Sequence, residues 1–140
     1  MERRQTLLMM KGLPCSGKTE WAEAWVAKGR NRVRVSWTDI MATLGRKTRD
    51  RRLLAFETAT HLTAQALQQG MDVVVDEMNL NPATFSMFLA RAAKAGAVVE
   101  WHNMRQTPDE CKRRNAQRGH PVDDMEIERL SQEWRQWLEH

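Results

Sequence analysis

The segment GLPCSGKTEWA, residues 12–22, constrains this chain more than any other stretch. It follows a short apolar run, Thr6-Leu7-Leu8-Met9-Met10, and precedes a helical pattern in which Trp21 and Trp25 stand four residues apart. Gly12-x-x-x-x-Gly17-Lys18-Thr19 fits the phosphate-binding loop at every defined position. Its two glycines let the backbone turn sharply and approach an anion where a Cβ would intrude. The loop, with Pro14, Cys15 and Ser16 at its centre, then presents its N–H groups as an anion nest at a helix N-terminus. Lys18 is placed to reach the β- and γ-phosphates of ATP or another NTP, and the Thr19 hydroxyl to help hold Mg²⁺.

Elsewhere strand-like and helix-like segments alternate, which predicts an α/β domain built on a parallel sheet. Strands are expected at 6–10, 33–36, 71–76 and 97–102, and helices at 17–28, 50–69, 82–94, 107–118 and 121–138. Gly29, Gly70, Gly96 and Gly119 stop helices, Pro82 and Pro121 open them, and Thr107-Pro108-Asp109-Glu110 reads as a capped start. In the 50–69 helix, Leu53, Leu54, Phe56, Ala59, Leu62 and Leu67 are available for the buried face.

With 140 residues, 41% hydrophobic and 29% charged, and neither repeat nor linker, a single domain over 1–140 is expected. No apolar run nears the roughly 18 residues of a membrane span. The first residues lead straight into a strand rather than a secretory leader. Cys15 and Cys111 make no disulfide framework, so a cytoplasmic protein with no membrane partner is expected. His61, His102, His120 and His140 show no metal-ligand spacing, and no zinc site is expected. The net charge of +4 serves solubility first, and also suits a polyanionic partner such as nucleic acid.

A phosphate-binding loop needs an acid at the end of a neighbouring strand to orient Mg²⁺, directly or through water. Val73-Val74-Val75-Asp76-Glu77 supplies it, with Asp76 as the metal residue, although an Asp there also suits a helix cap or turn.

Three stretches together resemble the kinase domain of polynucleotide kinases, within the P-loop kinase superfamily. They are GLPCSGKTEWA, then Val75-Asp76-Glu77-Met78-Asn79-Leu80-Asn81-Pro82, and Lys112-Arg113-Arg114-Asn115-Ala116-Gln117-Arg118-Gly119. The resemblance implies a P-loop NTPase fold of three α/β/α layers with a central parallel sheet and a C-terminal helical lid. It also implies phosphoryl transfer from ATP or another NTP, with Mg²⁺, to a hydroxyl acceptor. Arg114 and Arg118 become lid residues that touch the transferring phosphates, where guanidinium donors stabilise charge on the equatorial oxygens. Asn79 falls among the acceptor contacts. Cys15 stands where relatives carry glycine, so a negative φ or modest strain is expected there.

The family places an Asp-Asp pair after its second strand, followed by an arginine that grips the acceptor. Here the stretch is Ser36-Trp37-Thr38-Asp39-Ile40-Met41. Matching Ile40 puts Thr38 at the usual base position, leaves Asp39 at the second, and replaces the arginine by Met41. A one-residue adjustment of this loop makes Asp39 the base. Trp37 beside it offers a stacking platform for a nucleobase, or a packing residue. Trp21, Trp25, Trp134 and Trp137 read as structural. Arg46-Lys47-Thr48-Arg49-Asp50-Arg51-Arg52 follows closely, with Arg49 as an acceptor contact. The cluster suits a nucleic-acid backbone or a solvated turn.

The expectation is an ATP-dependent kinase of a nucleic-acid hydroxyl, with DNA ahead of RNA. The acceptor is a strand's 5′-hydroxyl or the hydroxymethyl of 5-hydroxymethyluracil, as in related phage kinases, which leaves a phage-encoded origin open. The alternatives are a small-molecule kinase for a nucleoside, sugar acid or antibiotic, and an NTP-binding switch without transfer.

Overall fold

The valine-rich segment Asp72–Val75 is buried along its whole length, which a strand achieves inside a sheet covered on both faces. The computed structural model describes residues 4–13, 15–118 and 122–138. Along the chain run β1 (Thr6–Lys11), α1 (Lys18–Lys28), β2 (Arg32–Val35), α2 (Trp37–Thr43), α3 (Arg49–Gln68) and β3 (Asp72–Val75). α4 (Pro82–Ala95), β4 (Val98–Asn103), α5 (Pro108–Ala116) and α6 (Asp124–Leu138) complete it. The four strands are parallel in the order β2-β3-β1-β4, with Leu7 opposite both Val73 and Val99.

Alternation along the strands divides the core in two. Leu7, Met9, Val35, Val73 and Val75 face Ala59, Ala66 and Leu67 of α3 and Phe88 and Ala92 of α4. Leu8, Met10 and Val74 point the other way, onto Ala22 of α1, with Trp21 and Trp25 packed around them. The result is a three-layer α/β/α fold. A third cluster, of Leu13, Leu80, Cys111, Ile127 and Leu130, roots α5 and α6 beside the first loop. Among the described residues no helix is long and apolar enough to cross a membrane.

The structure departs from the sequence reading in three places. Residues 37–43 are helix rather than loop, because the Ser36 hydroxyl accepts from the Asp39 N–H and caps the first turn. α3 turns its small side chains inward: Ala55, Ala59, Thr63, Ala66 and Leu67 are buried, whereas Leu53, Leu54 and Leu62 are exposed. Alanine and threonine let this helix lie close against α2, α4 and the sheet, where leucines would hold it off. α5 ends at Ala116, capped by Gln117, so Arg118 stands beyond it. Pro14, Gly119 and Pro121, and the side chains of Trp134 and Trp137, lie outside the described residues.

Candidate active site

In an open parallel sheet the loops at the carboxyl ends of the strands converge on one edge, where ligands bind. Here the loops after Lys11, Val35 and Val75 open onto a cleft of about 650 Å³, with Lys18, Thr19, Thr38, Asp39, Asp76 and Arg114 in its lining. Gly17, at φ 90°, caps α1 without a side-chain partner, so the first-turn N–H groups stay open to an anion. A Cβ on Gly12 would lie 2.9 Å from both the Met104 Cβ and the Ser16 Oγ, so only glycine fits. The Ser16 hydroxyl is buried without a hydrogen-bond partner among the described residues. Lys18 donates to the Leu13 carbonyl at 3.0 Å, and burial pushes its pKa down while the charges of Asp76 and Glu77 oppose that fall.

Cys15 takes φ 64°, so of the two expectations there, a negative φ or modest strain, it is strain that the loop adopts. An L-residue in this left-handed region costs about 1–2 kcal/mol, so the surrounding loop holds it there. Its Sγ accepts from Arg118 at 3.2 Å and approaches the Asn115 Oδ1 at 3.7 Å. Asn115 also exchanges two bonds with the backbone of Val122, clasping the end of α5 to the approach to α6. Arg114 and Arg118 both line the cleft, although Arg118 does so from beyond the helix.

On the strand side the Asp76 Oδ2 accepts from the Thr19 hydroxyl at 2.9 Å. The same oxygen lies 2.8 Å from the Nε and NH2 of Arg34. A third nitrogen of Arg34, NH1, reaches the Asp39 Oδ2 at 2.5 Å, so one guanidinium bridges both acids. Arg34 was not singled out in the sequence. Its place in an alternating strand marks it as facing out of the β2 core, but its pairing depends on β2 lying beside β3. Open amides, an orphaned buried hydroxyl, a half-buried ammonium and a Thr–Asp pair fit an NTP with Mg²⁺: Lys18 and the loop for phosphate, Thr19 and Asp76 for the cation.

Another wall of the cleft is built by α2 and the loop after β3. Thr38 and Asp39 sit on the first turn of α2 and face the cleft. Glu77 was also missed, although it follows Asp76 directly. Its carboxylate accepts from the Ser36 hydroxyl at 3.0 Å, the Thr38 N–H at 2.9 Å and the Thr38 hydroxyl at 3.0 Å. Burial pushes its pKa up, with these donors pulling back and the Asp76 charge adding to the rise. Thr38 and Glu77 also line a second hollow of about 260 Å³, whose wall includes Trp37, Asn79 and Leu130. Met41 is buried and grips nothing in the cleft.

Trp37 resolves largely towards packing: its ring lies 5.6 Å from Phe56 and 5.7 Å from Phe88, with one side reaching the second hollow. The Asn79 amide donates to the carbonyls of Met10, Val75 and Glu77 and so pins the ends of β1 and β3 together. Its role in this structure is to hold the site's frame. Arg49 is exposed at the start of α3 and lines neither hollow.

A family model described as an AAA domain, AAA_33, matches residues 7–140. The chain belongs to the AAA_33 family. No curated protein matches it at a significant level. Among solved structures, this AAA_33 domain resembles a chain of a Pnkp1/Rnl/Hen1 RNA repair complex with a TM-score of 0.83 at 16% identity. That match covers 99% of this domain and 47% of the other chain, so the domain spans about half of that protein. It also resembles the Mycobacterium tuberculosis APS kinase CysC in complex with AMPPNP and APS, with a TM-score of 0.65, 16% identity, and 99% and 100% coverage. A Deinococcus radiodurans tunicamycin resistance protein matches with a TM-score of 0.69, 14% identity, and 94% and 81% coverage. The AAA_33 domain thus carries its phosphate-binding loop on an α/β fold around a parallel sheet, the fold of these solved structures.

Proposed function

We propose that this chain is an ATP-dependent kinase that transfers the γ-phosphate to a hydroxyl of a nucleic acid. One observation carries the reading: the phosphate loop and Asp76 share a single cleft with Thr38, Asp39 and the lid arginines. Donor and acceptor groups brought together in one cleft suit direct, in-line transfer.

In this mechanism Lys18 and the loop amides hold the donor phosphates, and Thr19 and Asp76 hold Mg²⁺. Bound Mg²⁺ supplies neutralisation of the charge that develops on the phosphates. Asp39 orients the acceptor hydroxyl and receives its proton as the oxygen–phosphorus bond forms and the β,γ-bridging bond breaks. Arg114 and Arg118 close over the transferring group from the lid. Arg34 occupies the Asp76 Oδ2, so a cation held by Asp76 would compete with that bridge.

A nucleic-acid acceptor, a strand's 5′-hydroxyl or a base hydroxymethyl, is favoured by the lid and Asn-Leu-Asn-Pro motifs. The exposed basic residues 46–52 and the likeness to a chain of an RNA repair complex support it. A small-molecule acceptor is the second reading. The second hollow favours it, being lined by Glu77, Glu133, Asn79 and Asn81 without a basic side chain among the described residues. We place the enzyme in the cytoplasm.

The test offers γ-labelled ATP with 5′-hydroxyl DNA, 5-hydroxymethyluracil DNA, 5′-hydroxyl RNA and free nucleosides side by side. Label on a polynucleotide supports the proposal. Label only on free nucleosides sinks it in favour of the second reading.

A further inference from the structure

Thr38 stands at the position where the resemblance expects an acid, and its hydroxyl is already committed. A threonine hydroxyl carries one proton and two lone pairs, whereas an ionised carboxylate only accepts. The Thr38 Oγ1 gives its proton to the Glu77 Oε2 at 3.0 Å. Glu77 cannot drift from this partner, because its other oxygen accepts from the Thr38 N–H at 2.9 Å and the Ser36 hydroxyl at 3.0 Å. Ser36 and Glu77 are buried, while Thr38 is exposed on the wall shared by the two hollows. Asp39, the neighbouring acid, has one oxygen taken by Arg34.

We propose that Glu77 is a positioning residue that fixes the polarity of Thr38, making the Thr38 Oγ1 a hydrogen-bond acceptor for the substrate's attacking group. This rests on the kinase reading above and narrows its substrate class. An alcohol docks with its proton directed at Oγ1 and its oxygen free to attack, and passes that proton to the neighbouring Asp39 as the oxygen–phosphorus bond forms. The oxygen of a phosphate or carboxylate acceptor has none, and meets lone pairs backed by a buried carboxylate. The site therefore selects neutral hydroxyl acceptors against anionic ones. The side chain at 38 has lost its acid, and the loop after β3 supplies the orienting carboxylate from behind.

The geometry makes Glu77→Gln a clean inversion. A glutamine of the same shape accepts from the Thr38 N–H but donates to Oγ1, which turns the threonine proton outward. The experiment measures transfer from γ-labelled ATP to whichever member of the four-acceptor panel wild type uses, and to methyl phosphate as an anionic acceptor that carries no alcohol. Thr38→Val and Glu77→Gln are each expected to lower kcat/KM for the hydroxyl acceptor by about tenfold, the worth of one good hydrogen bond. The KM for ATP stays unchanged, and Thr38→Ser stays within about twofold of wild type because it keeps the hydroxyl. Glu77→Gln narrows the preference for hydroxyl over phosphate acceptor, and the double variant is no worse than the weaker single one, since both remove the same interaction.

An unchanged kcat/KM in Thr38→Val, or single effects that multiply in the double variant, overturns the proposal. If Glu77→Gln fails to fold, Thr38→Val and Thr38→Ser, changed at an exposed site, decide the matter alone. Wild-type protein that labels no acceptor refutes the kinase reading itself, an outcome distinct from active wild type with a silent Thr38→Val.

Discussion

Replacing Arg34 by methionine keeps the stem of the side chain and removes the charge that joins Asp76 to Asp39. In the wild type, two nitrogens lie 2.8 Å from the Asp76 Oδ2 and a third 2.5 Å from the Asp39 Oδ2. The two ends differ in worth. The Asp39 side chain is 61% exposed, and a pair in water adds at most about 1 kcal/mol. The Asp76 side chain is 2% exposed, and removing one partner of a buried pair costs about 3–5 kcal/mol. Asp76 keeps its bond from Thr19, which holds the loss near the low end, about 3 kcal/mol. Urea denaturation of wild type and Arg34→Met with EDTA measures this difference directly. Adding Mg²⁺ then stabilises the variant more than wild type, because the freed carboxylate oxygen is open to the cation and ligand binding to the folded state adds to its stability. A loss below about 0.5 kcal/mol with EDTA, the size of an ordinary surface substitution, refutes the bridge as an element of the folded site.

Two further outcomes test the frame around the site. Phe88→Ala empties a fully buried position that Trp37 and Phe56 share at ring distances of 5.7 Å, so it should cost about 3–5 kcal/mol in denaturation; a loss under about 1 kcal/mol contradicts that packing. Glu77 has a folded pKa raised above its usual 4.5, so from that pH upward the folded state binds more protons than the unfolded one. Its contribution to stability is therefore greatest below 4.5 and falls as pH rises through the folded value. The stability of wild type relative to Glu77→Gln should decline over that range, and a relative gain would show the sign to be wrong.

The donor half of the site was legible in the sequence because it is local. Gly12, Gly17, Lys18 and Thr19 lie within eight residues, and their spacing alone dictates a strand, a nest of amides and a helix. The sheet was legible for a similar reason, since Val73-Val74-Val75 and Leu7-Leu8-Met9 are runs that suit only a covered strand. The acceptor half depends on contacts between residues far apart in the chain. Arg34 meets Asp76 across 42 positions, and Thr38 meets Glu77 across 39. No local pattern announces such pairs. The helix at 37–43 was nevertheless within reach, because Ser36-x-x-Asp39 carries the spacing of a capped N-terminus. α3 misled for a physical reason: hydrophobicity ranks leucine above alanine for burial, while close helix packing selects the smaller side chain.

The most direct measurement is transfer of label from γ-labelled MgATP to a 5′-hydroxyl oligonucleotide by wild type and by Lys18→Ala. Lys18 is the half-buried ammonium of the phosphate loop, and its loss would leave the donor phosphates of the proposed reaction without their cation. The account predicts label on the oligonucleotide with wild type and none with Lys18→Ala. Equal transfer by the two proteins would contradict it, as would wild type that labels neither this oligonucleotide nor any other polynucleotide.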